Sequence, residues 1–432
     1  MPKKGNMADT VDLSVEMAGL RFKSPILVAS SECGSNASML RHLTDRKIGG
    51  IVTKTFTSPS GFRIRVRPYQ FPLNKFGKAY AEGGCLYSLA APHVEDSQTV
   101  ETHVSQMAAH CRASSIVLIV SFFEDPQNVD LWTHRARVFE EKGADMLELN
   151  FSSPSAASVF SRSFQAAGDI ISRVKKNTTI PVGLKLSPTL EPLEAFITAC
   201  VDAGLDFITA HNAPGGIVVD VDNEVPFGAP TVGGYVMGRT FLPYSLGRIV
   251  RIRQVVDIPV IGVGGIYEAQ DALQYLLCGC PLVGIGSAMY FEGSQILDAL
   301  HAGICDWMQT KGYASVSEFQ GKALRHIKNP ASLKSEEKYP YTTPPDCPYA
   351  PVINTDVCTL CATCEATCIY RVFTVNEQQS KVFIDENKCW SCGFCVGICP
   401  AGAIELRDRG NKDRLIWNNQ GMAESFQIKK NE

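Results

Sequence analysis

No stretch of the 432 residues approaches the roughly eighteen consecutive apolar residues that a membrane-spanning helix requires. The basic opening Met1-Pro2-Lys3-Lys4 leads into no apolar segment of the kind that directs secretion. A soluble, cytoplasmic protein without membrane contact is expected. An excess of one charge is missing too. Lys and Arg number 41 against 44 Asp and Glu, net −3, with no block of like charge beyond the pairs Lys3-Lys4 and Lys429-Lys430, so nothing draws the chain to nucleic acid. A disulfide framework is absent although cysteine is plentiful. Of 16 cysteines, Cys33, Cys85, Cys111, Cys200, Cys278, Cys280, Cys305 and Cys347 are scattered without regular spacing, as free thiols in a reducing compartment are.

The other eight cysteines are anything but scattered. Cys358, Cys361, Cys364 and Cys368, then Cys389, Cys392, Cys395 and Cys399 with Pro400, spell C-x2-C-x2-C-x3-C twice. That spacing is the bacterial pattern for two 4Fe–4S clusters, in which each run gives three thiolates to one cluster and its fourth to the other. Cys399 is thus expected to complete the set of Cys358, Cys361 and Cys364, and Cys368 that of Cys389, Cys392 and Cys395. The competing reading is structural zinc. Zinc modules usually pair two short C-x2-C knuckles across a longer gap and often include His, and no His falls between Cys358 and Cys399. The first run departs from the common form in having Ile369 where proline often stands.

A ferredoxin-sized module needs only a fraction of this length, so a larger domain must precede it. From residue 25 onward, short β-branched runs alternate with amphipathic stretches. Strands are expected at Pro25–Ser30, Gly50–Phe56, Ser115–Phe122, Met146–Ser152, Val182–Ser187, Phe207–Asn212, Pro259–Gly265 and Leu282–Ala288. Helices such as Val129–Lys142, Leu193–Ala203 and Ala269–Leu277 fall between them. Eight such units predict an α/β fold, a (β/α)8 TIM barrel with a small C-terminal α+β domain of bacterial ferredoxin type; an open doubly wound sheet is the alternative. The expected boundaries are a catalytic barrel over 1–320, a linker over 321–350 leading through the Pro-rich run Tyr339–Pro351, the cluster domain over 351–410 and a polar tail over 411–432. Two connections, Thr57 to about Thr99 and Ala213 to about Leu242, exceed what a compact barrel needs and are expected to act as lids.

Polar residues recur at the strands' C-terminal ends, where a barrel builds its site: Ser30, Lys54 with Thr55, Asn150, Lys185, His211 with Asn212, Gly262 to Gly265, and Gly286 with Ser287. The glycines after strands seven and eight allow backbone N–H groups close to a phosphate, and their spacing and place do not match a dinucleotide fingerprint. They point to a mononucleotide such as FMN, with Gly233, Gly234 and Gly238 as a further part of the cradle; structural turns are the plainer reading. Lys54 and Lys185 are inward lysines in need of an anionic partner, which a reduced flavin and its phosphate provide.

The runs Ala29-Ser30, Thr53-Lys54-Thr55-Phe56, Asn150-Phe151-Ser152-Ser153-Pro154, Lys185-Leu186-Ser187-Pro188, Asn212, Gly233-Gly234, Gly262-Val263-Gly264-Gly265-Ile266 and Gly286-Ser287 carry a resemblance. Over residues 10 to 405 the chain resembles the FMN barrels of dihydroorotate dehydrogenases and, more closely, the barrel-plus-ferredoxin portion of dihydropyrimidine dehydrogenases. The resemblance implies FMN contacts from Ala29, Ser30, Lys54, Thr55, Lys185, Gly234, Gly264, Gly286 and Ser287, and substrate contacts from Asn150 and Asn212. It also exposes departures. Tyr87 stands where the family places its first substrate asparagine, Ala213 replaces the Thr of an Asn-Thr pair, and the loop over Ser155–Gly168 lacks the family's acid/base cysteine.

A flavin exchanging hydride with carbon needs a proton donor or acceptor at the neighbouring carbon. Ser163 takes that place by register, Ser161 next, and Arg162 between them could anchor an anion. The expected activity is an FMN and iron–sulfur oxidoreductase acting on a C=C bond conjugated to a carbonyl in a cyclic amide or related ring, with uracil and thymine not its matched substrates. The alternatives are the same chemistry on a non-pyrimidine, with Tyr87 stacking on or hydrogen bonding to the ring, and a non-catalytic electron-transfer subunit. No second dinucleotide fold is visible, so electrons are expected from a separate NAD(P)H-oxidising flavoprotein subunit or a ferredoxin, in an oligomer. Anaerobically purified protein should carry about eight iron and about eight acid-labile sulfide per FMN; zinc in place of iron by elemental analysis rules the clusters out.

Overall fold

The computed structural model describes residues 11–58, 70–73, 85–88, 93–94, 97–152, 158–220, 223–226, 234–333, 341–419 and 421–422. Two compact units divide the chain, Met1–Ile327 and Lys328–Glu432.

In the first unit eight parallel strands occur in the predicted order: β1 Ile26–Val28, β2 Gly50–Val52, β3 Val117–Phe123, β4 Met146–Asn150, β5 Val182–Lys185, β6 Phe207–Thr209, β7 Val260–Val263 and β8 Leu282–Ile285. Each pairs with its successor, and β8 returns to β1, so the sheet closes into a barrel. The open-sheet alternative is thereby overturned. Closure explains the sequence pattern: helices cover the outside and side chains fill the inside, so β1, β2, β4, β5, β7 and β8 are buried on both faces and read as apolar runs rather than alternating ones.

The covering helices show the complementary period. In α2, Val129–Glu141, Trp132, Arg135, Ala136 and Phe139 are buried at i, i+3, i+4 and i+7; α1 is Ser97–Ala113. Helix α3, Phe164–Asn177, buries Ala167, Ile170, Ile171 and Val174 in the same rhythm. Around the barrel follow α4 Leu193–Asp202, α5 Leu242–Arg253, α6 Ala269–Leu277, α7 Ser287–Glu292 and α8 Ile296–Lys311, the last stopped by Gly312 in the left-handed region at φ +76°. Trp132 meets Phe122 of β3 at 5.4 Å and Phe151 after β4 at 5.5 Å, so one indole locks helix to strands.

The two long connections turn out to share one antiparallel sheet. Gln70–Leu73 pairs with Cys85–Ser88, that strand with Gly234–Met237, and Gly234–Met237 with Gly215–Gly216. A period-2 signal of two to four residues is too short to stand out among the glycines and prolines of these segments, so sequence reading took them for loops. Where the first of them leaves the barrel, Ser58 Oγ donates to Glu124 Oε1 at 2.9 Å, and Arg135 Nε donates to the same oxygen at 3.2 Å, a buried ion pair that fixes the base of the segment.

The second unit pairs β9 Tyr349–Ile353 antiparallel with β12 Ile404–Asp408, and β10 Phe373–Asn376 with β11 Lys381–Ile384. Two short helices, α9 Thr363–Thr367 and α10 Phe394–Ile398, fall inside the cysteine runs. Leu415–Asn418, expected in a polar tail, forms β13 beside β12 with Ile416 fully buried. The polar residues on either side of Leu415-Ile416-Trp417 masked this strand in the sequence. Among the described residues the core cluster here is small, built on Val372, Phe373, Cys389, Val396, Ile404, Leu406 and Ile416, a scale at which small domains rely on added cross-links.

Packing inside the barrel is tight enough to test. A methyl on Gly183 of β5 would lie 2.4 Å from the Phe207 ring. Gly183→Ala should therefore lower unfolding free energy by about 1–3 kcal/mol in urea titration; an unchanged midpoint would show that the ring has room to move.

Candidate active site

A cavity opens at the C-terminal ends of the strands. Ala29, Ser30, Lys185, Asn212, Gly264, Gly286 and Ser287, all singled out from sequence, line it together with Glu148, Thr209, His211 and Ala213. Lys54, Thr55 and Asn150 are not among its lining residues, though Thr55 and Asn150 are joined to Ser30 of the wall by hydrogen bonds. The shared sheet of the two long connections adds Val236 and Met237 to the lining. Gly234 pairs with Gly216 in that sheet, and Tyr87 pairs across it with Val236. Gly233, Ser153, Pro154 and Ser155–Ala157 lie outside the described residues.

A continuous hydrogen-bonded chain joins groups that the sequence could only name separately. Ser30 Oγ lies 3.4 Å from Thr55 Oγ1, which also meets Ser121 Oγ at 3.0 Å and accepts from Asn150 Nδ2 at 2.8 Å. Asn150 Oδ1 accepts from both the backbone N–H and the hydroxyl of Ser152. Ser152 Oγ in turn accepts from Asn212 Nδ2 at 2.9 Å, and Asn212 Oδ1 accepts from Ala213 N at 2.9 Å. Ser152 and Ser121 carried no signal of their own in the sequence; serines beside strand ends are common, and only the fold puts these two between functional amides.

The two lysines differ. Lys54 is paired with Glu32 at 2.9 Å, a partner the sequence reading did not supply. Lys185 is buried, lines the cavity and donates no hydrogen bond among the described residues. Burial pulls its ammonium below the ordinary lysine range, Glu148 opposes that pull, and Lys54 adds to it. An unpaired, buried cation facing a cavity fits an anionic ligand.

The glycine loops fit as well. Gly264 and Gly265 have φ of +111° and +70°; a Cβ on Gly264 would strike Ser245 Oγ at 2.5 Å, and one on Gly265 would strike Leu242 N at 2.6 Å. Tyr275 holds this loop by donating to Val263 O at 3.1 Å and Gly264 O at 2.5 Å. Behind it, His211 Nδ1 lies 2.6 Å from Asn212 O and Nε2 2.8 Å from Ser245 Oγ. A carbonyl can only accept, so Nδ1 carries the proton and Ser245 donates to Nε2. Burial pushes the His211 imidazole down to about 4, which keeps it neutral.

Ser163 and Ser161 do not line the cavity. Ser163 is the N-cap of α3, its Oγ accepting from Ala166 N at 3.3 Å, and Ser161 Oγ donates to Ser158 O at 3.3 Å. A capping serine and an acid/base serine look alike in sequence.

The thiols of the second unit fall into two neighbourhoods. Cys399 shares a cavity with Cys358, Cys361 and Cys364, while Cys395 feels the charges of Cys389, Cys392 and Cys368. The two runs also share a backbone form, with positive φ at Leu360 and Ala362 in one and at Ser391 and Gly393 in the other. Burial raises the Cys364 and Cys389 thiols and pushes Cys395 up to about 12, so a bound cation is needed to hold them as thiolates.

A family model for dihydroorotate dehydrogenase matches residues 12–308, and one for the 4Fe–4S dicluster domain matches residues 357–403. The chain belongs to the dihydroorotate dehydrogenase family. It is a flavin-dependent oxidoreductase acting on CH–CH bonds, with FMN and two 4Fe–4S clusters as cofactors. Among its relatives, the NAD-dependent dihydropyrimidine dehydrogenase subunit PreA of Escherichia coli K12 is 26% identical over 429 residues, which cover 94% of this chain and 99% of that protein. The catalytic subunit of dihydroorotate dehydrogenase B (NAD(+)) from Geotalea uraniireducens is 28% identical over 319 residues, covering 72% and 98% respectively. Among the described residues no helix is long and apolar enough to cross a membrane.

The neutral His211 makes a pH prediction. Unfolded, the imidazole binds a proton below its ordinary value of 6.5; folded, it does so only near 4. Its contribution is therefore complete above pH 6.5 and lost as pH falls toward 4. Between pH 7 and pH 5 the wild type should lose about 2 kcal/mol more unfolding free energy than His211→Gln. Parallel pH profiles for the two proteins would exclude a neutral buried imidazole.

Proposed function

We propose that the barrel cavity holds FMN against Lys185 and the glycine loops, and beside it a ring whose C=C bond is conjugated to a carbonyl, read by Asn150 and Asn212. Bound FMN supplies hydride chemistry, and the clusters deliver electrons singly. The observation that carries the reading is the Asn150–Ser152–Asn212 chain running from Thr55 to the cavity wall where Lys185 stands unpaired.

The remaining valences of the asparagines narrow the substrate. Both Oδ1 lone pairs of Asn150 are taken by Ser152, and each amide Nδ2 has already given one of its two hydrogens. What is left is one N–H on each asparagine and one lone pair on Asn212. Two donors and one acceptor suit a ring rich in carbonyl oxygens, such as a cyclic amide. Ala213 adds no hydroxyl, and its backbone N–H is engaged by Asn212 itself. A polar ring built to meet a third side-chain group there leaves that group unpaired, which supports a substrate other than uracil or thymine.

Ala29, Ser30, Gly234, Gly286 and Ser287 complete the FMN contacts; Ser287 Oγ is held by Tyr267 Oη at 3.2 Å. Lys54 acts through its pair with Glu32 at the edge of the site. Tyr87 presents its strand against Val236 of the wall and is assigned to the substrate side. The proton at the reacting carbon is assigned to Ser163, with Ser161 next. Ser163 must release Ala166 N to take the role, whereas both nitrogens of His211 are already engaged. On the second unit one cluster is assigned to Cys358, Cys361, Cys364 and Cys399, the other to Cys389, Cys392, Cys395 and Cys368. The relatives are named as subunits, and this sequence shows no dinucleotide fold. Both facts support a separate electron-transfer subunit, an NAD(P)H-oxidising flavoprotein or a ferredoxin, as the source of electrons.

Lys185→Ala is expected to cut FMN retention, and Lys54→Ala to cut it less, since Lys54 has a protein partner; equal flavin content in all three proteins removes the lysine assignment. Reduced anaerobically, the holoprotein should be reoxidised by a cyclic enone amide and only poorly by uracil or thymine. Flavin that bleaches but is reoxidised by none of these would point to an electron-transfer scaffold. Ser163→Ala should slow that reoxidation about 100-fold or more while leaving flavin reduction through the clusters unchanged; an unaltered rate moves the role to Ser161.

A further inference from the structure

Glu148 is the one charged side chain of the cavity that no role above uses. It lies on β4, two residues before Asn150, and is fully buried. Thr209 Oγ1 donates to its Oε2 at 2.6 Å. Its Oε1 is buried with no hydrogen-bond partner among the described residues. Glu148, Thr209 and Lys185 line the same cavity from the adjacent strands β4, β6 and β5.

A buried carboxyl with an unused oxygen needs a reason, because stranding such a group costs on the order of 1–3 kcal/mol, more when it is charged. Oε1 is an acceptor that lacks a donor, and a cationic donor in the same cavity is the partner it can use. Lys185 is that cation, and it needs Glu148 in turn. The groups acting on Lys185 are Glu148, Lys54 and, from β6, His211. Lys54 is positive and already held by Glu32, and His211 is neutral. Among the described residues Glu148 is thus the single negative group that favours a charged Lys185. As a neutral amine, Lys185 would present no positive charge to an anionic flavin.

We propose that Glu148 is a positioning residue for Lys185: fixed by Thr209, its carboxylate holds the lysine as an ammonium directed at the flavin side of the cavity. This rests on the reading that the cavity binds FMN, and the two can fail separately.

The test is the midpoint potential of bound FMN, followed by flavin absorbance in anaerobic titrations of the full chain from pH 6 to pH 10, with FMN content measured on the same samples. Glu148→Gln should keep the Thr209 hydrogen bond yet lower the potential, move the inflection at which Lys185 deprotonates to lower pH than in the wild type, and raise the FMN dissociation constant roughly tenfold. In a Lys185→Met background the same change should move no inflection. Thr209→Val, which removes only the donor that fixes the carboxylate, should shift the potential in the same direction by less, and it keeps the test open if Glu148→Gln does not fold. Wild-type protein that binds no FMN defeats the site assignment itself. Protein that binds FMN normally but shows the same potential and pH profile in Glu148→Gln, or in Thr209→Val where that is the folded variant, overturns the role of Glu148 alone.

Discussion

Closing eight parallel strands on themselves pairs the backbone fully and dries the interior, so every polar side chain that points inward must find its partner among its neighbours or in a ligand. The mouth of this barrel is organised by that demand. Thr55 serves Ser30, Ser121 and Asn150; Ser152 serves Asn150 and Asn212; Ser245 serves His211 while Tyr275 serves the glycine loop. Among the described residues that line the cavity, the Lys185 ammonium and one Glu148 carboxylate oxygen are left over. Both lie where the family's chemistry takes place, and the hydrogen-bonded groups around them are fixed before any ligand arrives.

How much of this was legible follows from which interactions are local in sequence. Strands buried on two faces and helices buried on one have different periods, so the barrel could be read from Met146–Asn150 against Phe164–Asn177 and their repeats. Glycine loops and cysteine runs were equally plain, because phosphate approach and cluster ligation demand one residue type at fixed spacing. Partner choice was not legible. Nothing near Lys54 in sequence shows that Glu32 neutralises it, and Glu148 reads as one more residue of a buried strand until closure brings Thr209 and Lys185 to the same wall. The serines after Asn150 show another limit of reading by register. Register suggested an acid/base role for Ser163, while the helix that begins one residue later uses the same hydroxyl as its cap.

The two units meet the problem of small scale differently. The barrel buries a large continuous core and needs no cross-link to hold its shape. The cluster unit buries a handful of apolar residues, and its raised thiols at Cys364, Cys389 and Cys395 gain nothing from the apoprotein. Ligating iron would ionise them and, with the fourth cysteines exchanged as proposed, would tie the two runs to each other and couple cluster assembly to folding of this unit. Arg409 strengthens the frame on which this depends, donating to the carbonyls of Glu386 and Cys389 at 2.8 Å each.

With Asn150 and Asn212 reading the ring, as proposed above, substrate choice is set by which of their hydrogen-bonding valences remain free. An asparagine free in a loop could read an amide in either sense, as donor and acceptor together. Asn150 cannot, because Ser152 occupies its oxygen, and Asn212 retains only part of its capacity because Ala213 and Ser152 hold it on both sides. Preorganisation of this kind lowers the entropy cost of binding the ring that matches and leaves a mismatched ring with a buried group it cannot satisfy. Ala213 sharpens the bias: where a threonine would lend a hydroxyl able to turn either way, an alanine offers the substrate nothing to bond. On the proposed reading, discrimination among related rings thus resides less in Asn150 and Asn212 than in Ser152 and Ala213, which restrict them.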